Sequence, residues 1–165
     1  MIRVFVADAH PIVHKGLKAV FRNSNEISIV GKGLHCRDLV DYLGSKKVDI
    51  VVFEIELPGF EDIRTLRRLK DQYTNVRFLV FTTLSEEVYA ISALKYGASG
   101  FLCKDNPLNK LKDAILKIST GGVYITNELA GLQAQWDFIL IAAYPKGNAF
   151  TTSEYSPRLY IGSKF

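Results

Sequence analysis

From Ile2 to about Gly122, short runs of β-branched and apolar residues alternate with longer amphipathic stretches. That alternation predicts a parallel sheet covered by helices. Strands are expected over Ile2–Ala7, Ser28–Lys32, Ile50–Ile55, Phe78–Thr82 and Gly100–Cys103, and helices near Pro11–Phe21, Arg37–Leu43, Ile63–Gln72, Glu86–Tyr96 and Pro107–Thr120. The first, third and fourth strands are almost continuously apolar, which fits strands buried on both faces. Pro11 and Pro107 stand at first helical positions, Asn106 at a cap, and Gly97 where the fourth helix should stop. Right-handed crossovers then make a doubly wound, three-layer α/β domain.

In such a domain ligand chemistry gathers outside the carboxyl ends of the strands. Polar residues stand there: Asp8 closes the first strand, Glu54 the third, Thr82 and Thr83 the fourth, and Lys104 follows the fifth. Taken singly, each is an ordinary cap, turn or surface residue. Four of them at four strand ends predict one crevice holding two carboxylates, a hydroxyl and an ammonium.

Composition narrows the chemistry further. The chain has 165 residues, net charge +4, 48% apolar and 23% charged residues, enough to bury about 70% of its unfolded surface without staples. No block of five like charges marks a nucleic-acid arm. The run Arg64-Thr65-Leu66-Arg67-Arg68-Leu69-Lys70 reads as a helix with a solvated basic face. Cys36 and Cys103 are far apart and outside any metal-spaced motif, so neither a disulfide framework nor a zinc site is expected. The start reaches Asp8 without a signal-peptide pattern, and the longest apolar runs fall short of the roughly 20 residues of a membrane span. A cytoplasmic protein with no membrane association is expected. His10, His14 and His35 show no spacing that suggests catalysis or metal binding.

The segments Ile2-Arg3-Val4-Phe5-Val6-Ala7-Asp8-Ala9-His10-Pro11, Asp49-Ile50-Val51-Val52-Phe53-Glu54-Ile55-Glu56-Leu57-Pro58-Gly59, Leu79-Val80-Phe81-Thr82-Thr83 and Tyr96-Gly97-Ala98-Ser99-Gly100-Phe101-Leu102-Cys103-Lys104-Asp105 together resemble the CheY-like receiver domain of bacterial response regulators. The class whose receivers precede a LuxR/NarL-type helix-turn-helix is the nearest match. The resemblance runs from about Met1 to Leu129 and implies a flavodoxin-like fold with strand order 2-1-3-4-5. It implies signal transduction by phosphorelay in a two-component system, and transcription regulation. In that family two acidic residues after the first strand and an aspartate after the third hold Mg²⁺, and that aspartate takes a phosphoryl group from a histidine kinase. The hydroxyl after the fourth strand and the lysine after the fifth engage the phosphoryl oxygens.

Here the correspondence is partial. Asp8 matches the first acidic position, but Ala9 fills the second and Glu54 stands at the phosphoacceptor position. Thr82, Lys104 and the switch aromatic Phe101 match. Mg²⁺ requires near-octahedral oxygen ligands, so a site left with Asp8, Glu54 and the Glu56 carbonyl should bind it weakly or not at all, and no other cofactor is implied. Glu54 also sets its oxygens roughly 1 Å further out than aspartate would, in a reaction run on positioning. The expectation is a non-enzymatic pseudo-receiver in which Glu54 pairs with Lys104 and either imitates the switched state or locks the inactive one. The alternative is a conventional receiver that accepts a phosphoryl group weakly with Mg²⁺.

Domains are expected at residues 1–122 (receiver), 123–130 (linker) and 131–165 (an aromatic-rich tail). The tail holds Trp136, Phe138, Tyr144, Phe150, Tyr155, Tyr160 and Phe165 with Lys146, Arg158 and Lys164 as its basic residues, and no complete helix-turn-helix. It reads either as a packed or partner-binding extension or as the product of an interrupted reading frame. DNA binding by this chain is not expected. Partners would be proteins: a second copy in a homodimer, another regulator or a histidine kinase. Tyr89, Leu94, Lys95 and Tyr96, with Lys110 and Asp113, are candidates for the docking face.

Overall fold

The computed structural model describes residues 1–126; the expected tail, and the linker from residue 127 on, lie outside the described residues. Ten elements alternate along the chain: β1 (Ile2–Ala7), α1 (Pro11–Val20), β2 (Ile27–Gly33), α2 (Cys36–Ser45), β3 (Ile50–Phe53), α3 (Arg64–Gln72), β4 (Arg77–Thr82), α4 (Glu86–Lys95), β5 (Gly100–Cys103) and α5 (Leu108–Ser119). The five strands form one parallel sheet in the order β2-β1-β3-β4-β5. This is the flavodoxin-like receiver arrangement.

The sheet separates two cores, which is why its central strands carry no polar face. One core joins Phe5, Phe53, Phe78 and Phe101 to α2, α3 and α4 residues such as Leu39, Leu66 and Ala90. The other joins Val4, Val6, Val52 and Leu79 to Leu17 of α1 and Leu111, Ala114, Ile115 and Ile118 of α5. Burial at about 25 cal/mol per Å² of apolar surface makes these two layers the main source of stability. Residues Ile50–Phe53 of β3 are all buried, as their uninterrupted apolar run predicts.

Two local expectations are corrected. β3 ends at Phe53 rather than Ile55, because the Leu57 N–H donates to the Glu54 carbonyl at 3.2 Å and turns the chain. Glu54 therefore sits just beyond the strand. α5 begins at Leu108, with Pro107 in an extended conformation as the cap residue. Asn106 does not cap the helix; its side-chain amide donates to the Cys103 carbonyl at 3.2 Å and closes the β5–α5 turn. Pro11 does open α1, and the chain reverses at Gly97 after α4, with Gly97 and Ala98 amides returning to the Leu94 and Ala93 carbonyls. α3 turns Leu66 and Leu69 inward and leaves Arg64, Arg67 and Arg68 exposed, the solvated basic face expected of it. Lys70 departs from that pattern, its ammonium donating to the Thr74 and Val76 carbonyls at 2.8 and 2.9 Å.

Candidate functional site

The register of the central strands places the two carboxylates side by side. Ala7 pairs with Phe53, and the next amide, Glu54 N–H, donates to the Ala7 carbonyl at 2.9 Å, so Asp8 and Glu54 leave adjacent strands at the same level. On the far side, Thr82 pairs with Cys103 and the Lys104 N–H donates to the Thr82 carbonyl at 2.7 Å. β5 lies two strands from β3, about 10 Å along a sheet with the usual strand spacing. A long side chain is needed to cross that distance, and Lys104 supplies it.

Its ammonium donates to Asp8 Oδ2 at 2.5 Å and to Glu54 Oε2 at 2.7 Å. Both carboxylate side chains are 3% exposed and that of Lys104 13%, so the three charges meet almost out of water. The other oxygens are engaged as well. Asp8 Oδ1 accepts from the His10 N–H at 2.7 Å and from His10 Nδ1 at 2.9 Å, and Glu54 Oε1 accepts from the Glu56 N–H at 3.1 Å. Two carboxylates share one ammonium, which leaves the cluster a net charge of −1 while His10 is neutral.

Burial pushes the Asp8 carboxyl up, but the hydrogen bonds from Lys104 and His10 outweigh it and hold Asp8 below the usual carboxylate range. Burial likewise pushes the Lys104 ammonium down, and its bonds to Asp8 and Glu54 more than reverse that, raising it above the ordinary lysine value. Charge-assisted hydrogen bonds of this kind favour the ionised form of both partners.

Thr82 is fully buried, and its hydroxyl accepts from the Leu84 N–H at 3.3 Å, ordering the β4–α4 turn. Among the described residues that hydroxyl makes no hydrogen bond to Asp8, Glu54 or the Lys104 ammonium; only the Thr82 carbonyl touches Lys104, accepting from its backbone amide. Thr83 is exposed. Phe101 is fully buried in the core on the α4 side of the sheet. The docking candidates fall into two groups: Lys95, Lys110 and Asp113 are exposed, while Tyr89, Leu94 and Tyr96 are half-buried, with Tyr89 and Leu94 packed on the core.

His10 and His14 carry more of the site than their spacing suggested. Besides the contacts of His10 on Asp8, the buried His14 donates from Nε2 to the Asp8 carbonyl at 2.6 Å; a carbonyl only accepts, so Nε2 holds the hydrogen. His14 Nδ1 has no partner. The signal was available in the sequence, since His14 lies four residues after His10 and one turn into the helix that Pro11 opens.

The family resemblance implies Mg²⁺, and the donor set can be tested for it. All four carboxylate oxygens already accept hydrogen bonds, Ala9 offers no side-chain oxygen, and among the described residues no group of three or more His, Cys, Asp or Glu residues is placed to hold a metal. A divalent cation would have to displace the Lys104 ammonium to gain the two carboxylates and the Glu56 carbonyl. Waters can complete the shell of a Mg²⁺ held by two carboxylates, but here only after that displacement and without a carboxylate at position 9, so the residues present are a poor fit for the ion.

Comparison with known proteins gives this arrangement its context. The family model described as the response regulator receiver domain matches residues 4–116. The chain belongs to the response regulator receiver family. This receiver is 32% identical over 125 residues to the Fimbriae Z protein of Escherichia coli K12, covering 76% of this chain and 60% of that protein. It is 30% identical over 121 residues to the transcriptional regulatory protein DesR of Bacillus subtilis, covering 73% of this chain and 60% of DesR. The chain thus spans about 60% of the length of these curated relatives. Among solved structures, a LuxR-family two-component response regulator from Aurantimonas sp. superposes with a TM-score of 0.73 at 26% identity, over 82% of this chain and 97% of that one. The isolated receiver domain of RcsB from Salmonella enterica shares the fold with a TM-score of 0.70 at 20% identity, over 79% of this chain and 97% of that one. The receiver is therefore a regulatory module of two-component signalling, related to LuxR/NarL-type regulators.

Proposed function

We propose that this receiver signals without ordinary phosphorylation, through a built-in charge cluster of Glu54, Lys104 and Asp8, and passes its state on by protein contacts. The observation that carries the reading is the single ammonium bonded to both buried carboxylates. A phosphoryl acceptor needs a free carboxylate oxygen and a cation to neutralise the developing charge. Here the oxygens are engaged and Ala9 removes a ligand for that cation. Glu54 carries one negative charge toward the Lys104 that would otherwise meet a phosphoryl oxygen, an incomplete imitation of a group with nearer two charges.

The reading assigns no enzymatic activity to the chain. Its partners are a second copy, another regulator or a histidine kinase, and its place is the cytoplasm, in a pathway that ends in transcription. Among the described residues no helix is long and apolar enough to cross a membrane. DNA contact is assigned to a partner rather than to residues 1–126, whose basic face on α3 is in part already paired: Arg64 bonds Asp62 at 2.5 Å and Arg68 lies 3.5 Å from Glu61.

The test is amide NMR of the receiver during addition of Mg²⁺ and then beryllofluoride, with labelling by a small phosphodonor alongside. The wild type should show no saturable shift at Thr82, Phe101 or Lys104 and no label. The double variant Glu54→Asp with Ala9→Asp should gain metal-dependent label. Stoichiometric labelling of the wild type at Glu54 would overturn the reading in favour of a conventional, weak receiver.

A further inference from the structure

α5 does not release the chain into solvent. Gly121, at φ +98°, follows the cap residue Thr120, and the Gly121 and Gly122 amides donate back to the Ile118 and Lys117 carbonyls at 3.1 Å each. This two-bond closure ends a helix on a left-handed residue and reverses the chain. The next residues return to the sheet. Tyr124 N–H donates to the Ser99 carbonyl at 3.0 Å, and Phe101 N–H donates to the Tyr124 carbonyl at 2.9 Å, forming a parallel bridge between Tyr124 and Gly100 on the outer edge of β5.

Two residues later the Thr126 N–H donates to Glu86 Oε1, in the first turn of α4, at 3.0 Å. Tyr124 is buried and the Lys117 ammonium lies 5.9 Å from its ring centre. The sequence of β5 is adapted to this contact. A Cβ at Gly100 would stand 2.9 Å from the Tyr124 carbonyl oxygen and 3.0 Å from the Tyr124 Cβ, so the edge accepts the returning chain because that residue has no side chain. The start of the expected linker is thus part of the domain.

The two anchors belong to the two elements that flank the charge cluster, β5 leading into it and α4 leading away. Phe101 precedes Lys104 by three residues on β5. Glu86 follows Leu84 by two, and Leu84 is bonded to the Thr82 hydroxyl. We propose that residues 123–126 are an output latch: β5 and α4 grip the chain leaving α5, and a change of charge in the cluster loosens or tightens that grip. The proposal rests on the cluster being the seat of the switch, as argued above. The Lys104 N–H and the Thr82 carbonyl share a backbone bond of 2.7 Å, which ties the end of β5 to the β4–α4 turn beside the cluster. Glu86 acts here as a positioning residue.

Native-state hydrogen exchange by NMR on the full 165-residue chain tests this, with rates normalised to the slowest amides of β1 so that global unfolding is scored separately. Glu86→Ala should speed exchange at Thr126 about tenfold, the value of a hydrogen bond to a charged acceptor. Glu86→Gln keeps an acceptor oxygen and should restore most of the protection. Glu54→Gln, with no phosphodonor present, should shift the Thr126 and Tyr124 rates by about threefold or more relative to β1. Unchanged Thr126 exchange in Glu86→Ala would remove the latch. A latch that responds to Glu86 but not to Glu54→Gln would remove the coupling. Either failure is separate from the phosphodonor experiment, which alone decides whether the cluster is phosphorylated.

Discussion

Replacing Lys104 with methionine isolates the energetics of the cluster. The substitution keeps a long side chain and removes the one cation bonded to Asp8 and Glu54. Because both carboxylates touch the same nitrogen, at 2.5 and 2.7 Å, their facing oxygens lie within about 5 Å of each other. Two negative charges about 5 Å apart repel by ~3 kcal/mol at an effective dielectric of about 20. That agrees with the ~3–5 kcal/mol lost when one partner of a buried ion pair is removed, against a total stability of roughly 5–15 kcal/mol for a domain of this kind. The variant has an escape: one of the two carboxyls takes up a proton. Its folded-state pKa is then raised above the unfolded value near 4.3, so the relief is complete below that value and is lost as pH rises through the raised one. Urea unfolding followed by circular dichroism should show a loss of about 3 kcal/mol relative to the wild type at pH 7 and a smaller gap between the two at pH 5. Lys104→Arg, which keeps the charge, should show no such change in its gap to the wild type between the two pH values. A loss under about 1 kcal/mol at pH 7, or no recovery at pH 5, would refute the buried, ionised cluster.

Four further outcomes follow from the same geometry. The depressed carboxyl of Asp8 contributes stability above the unfolded value near 4 that is lost as pH falls through the folded one, so Asp8→Asn should make the acid limb of a stability-versus-pH curve shallower; an unchanged limb would contradict it. The raised Lys104 acts at the other end, its contribution fading only as pH climbs above the ordinary lysine value. Phe101→Ala empties a fully buried site and should cost ~3–5 kcal/mol by chemical denaturation, whereas a cost near 1 kcal/mol would mean that the ring leaves the core readily. Gly100→Ala should displace Tyr124 from the β5 edge, visible as faster exchange at the Tyr124 and Phe101 amides with the β1 amides unchanged; retained protection at both would show that the edge yields without releasing the segment.

Much of the architecture was legible because the signals involved are local. Continuous apolar runs such as Ile50–Phe53 identify strands covered on both sides, and the Leu66 and Leu69 spacing against Arg64, Arg67 and Arg68 identifies the buried face of α3. Asp8, Glu54, Thr82 and Lys104 could be placed at strand ends for the same reason, since a strand boundary is a change of composition within a few residues. Asn106 misled because an amide before a helix caps only if the backbone turns there, and here Pro107 stays extended and the amide serves the preceding turn. His10 and His14 were passed over because their four-residue spacing suggests neither catalysis nor metal binding; what joins them is Asp8, approached from the cap and the first turn of α1.

The sequence by itself determined the order of elements, the burial of the central strands and the set of charged residues at the carboxyl end of the sheet, because each depends on periodicity or on a neighbour in the chain. Which charges meet was decided only by the tertiary structure. The Lys104 bonds to Asp8 and Glu54 join residues 96 and 50 positions apart, and they form because strand order and register bring β1, β3 and β5 to one crevice and exclude most of the water from it. The same holds for the return of residues 123–126 to the edge of β5: its partners, Ser99, Phe101 and Glu86, become neighbours only once the sheet is assembled.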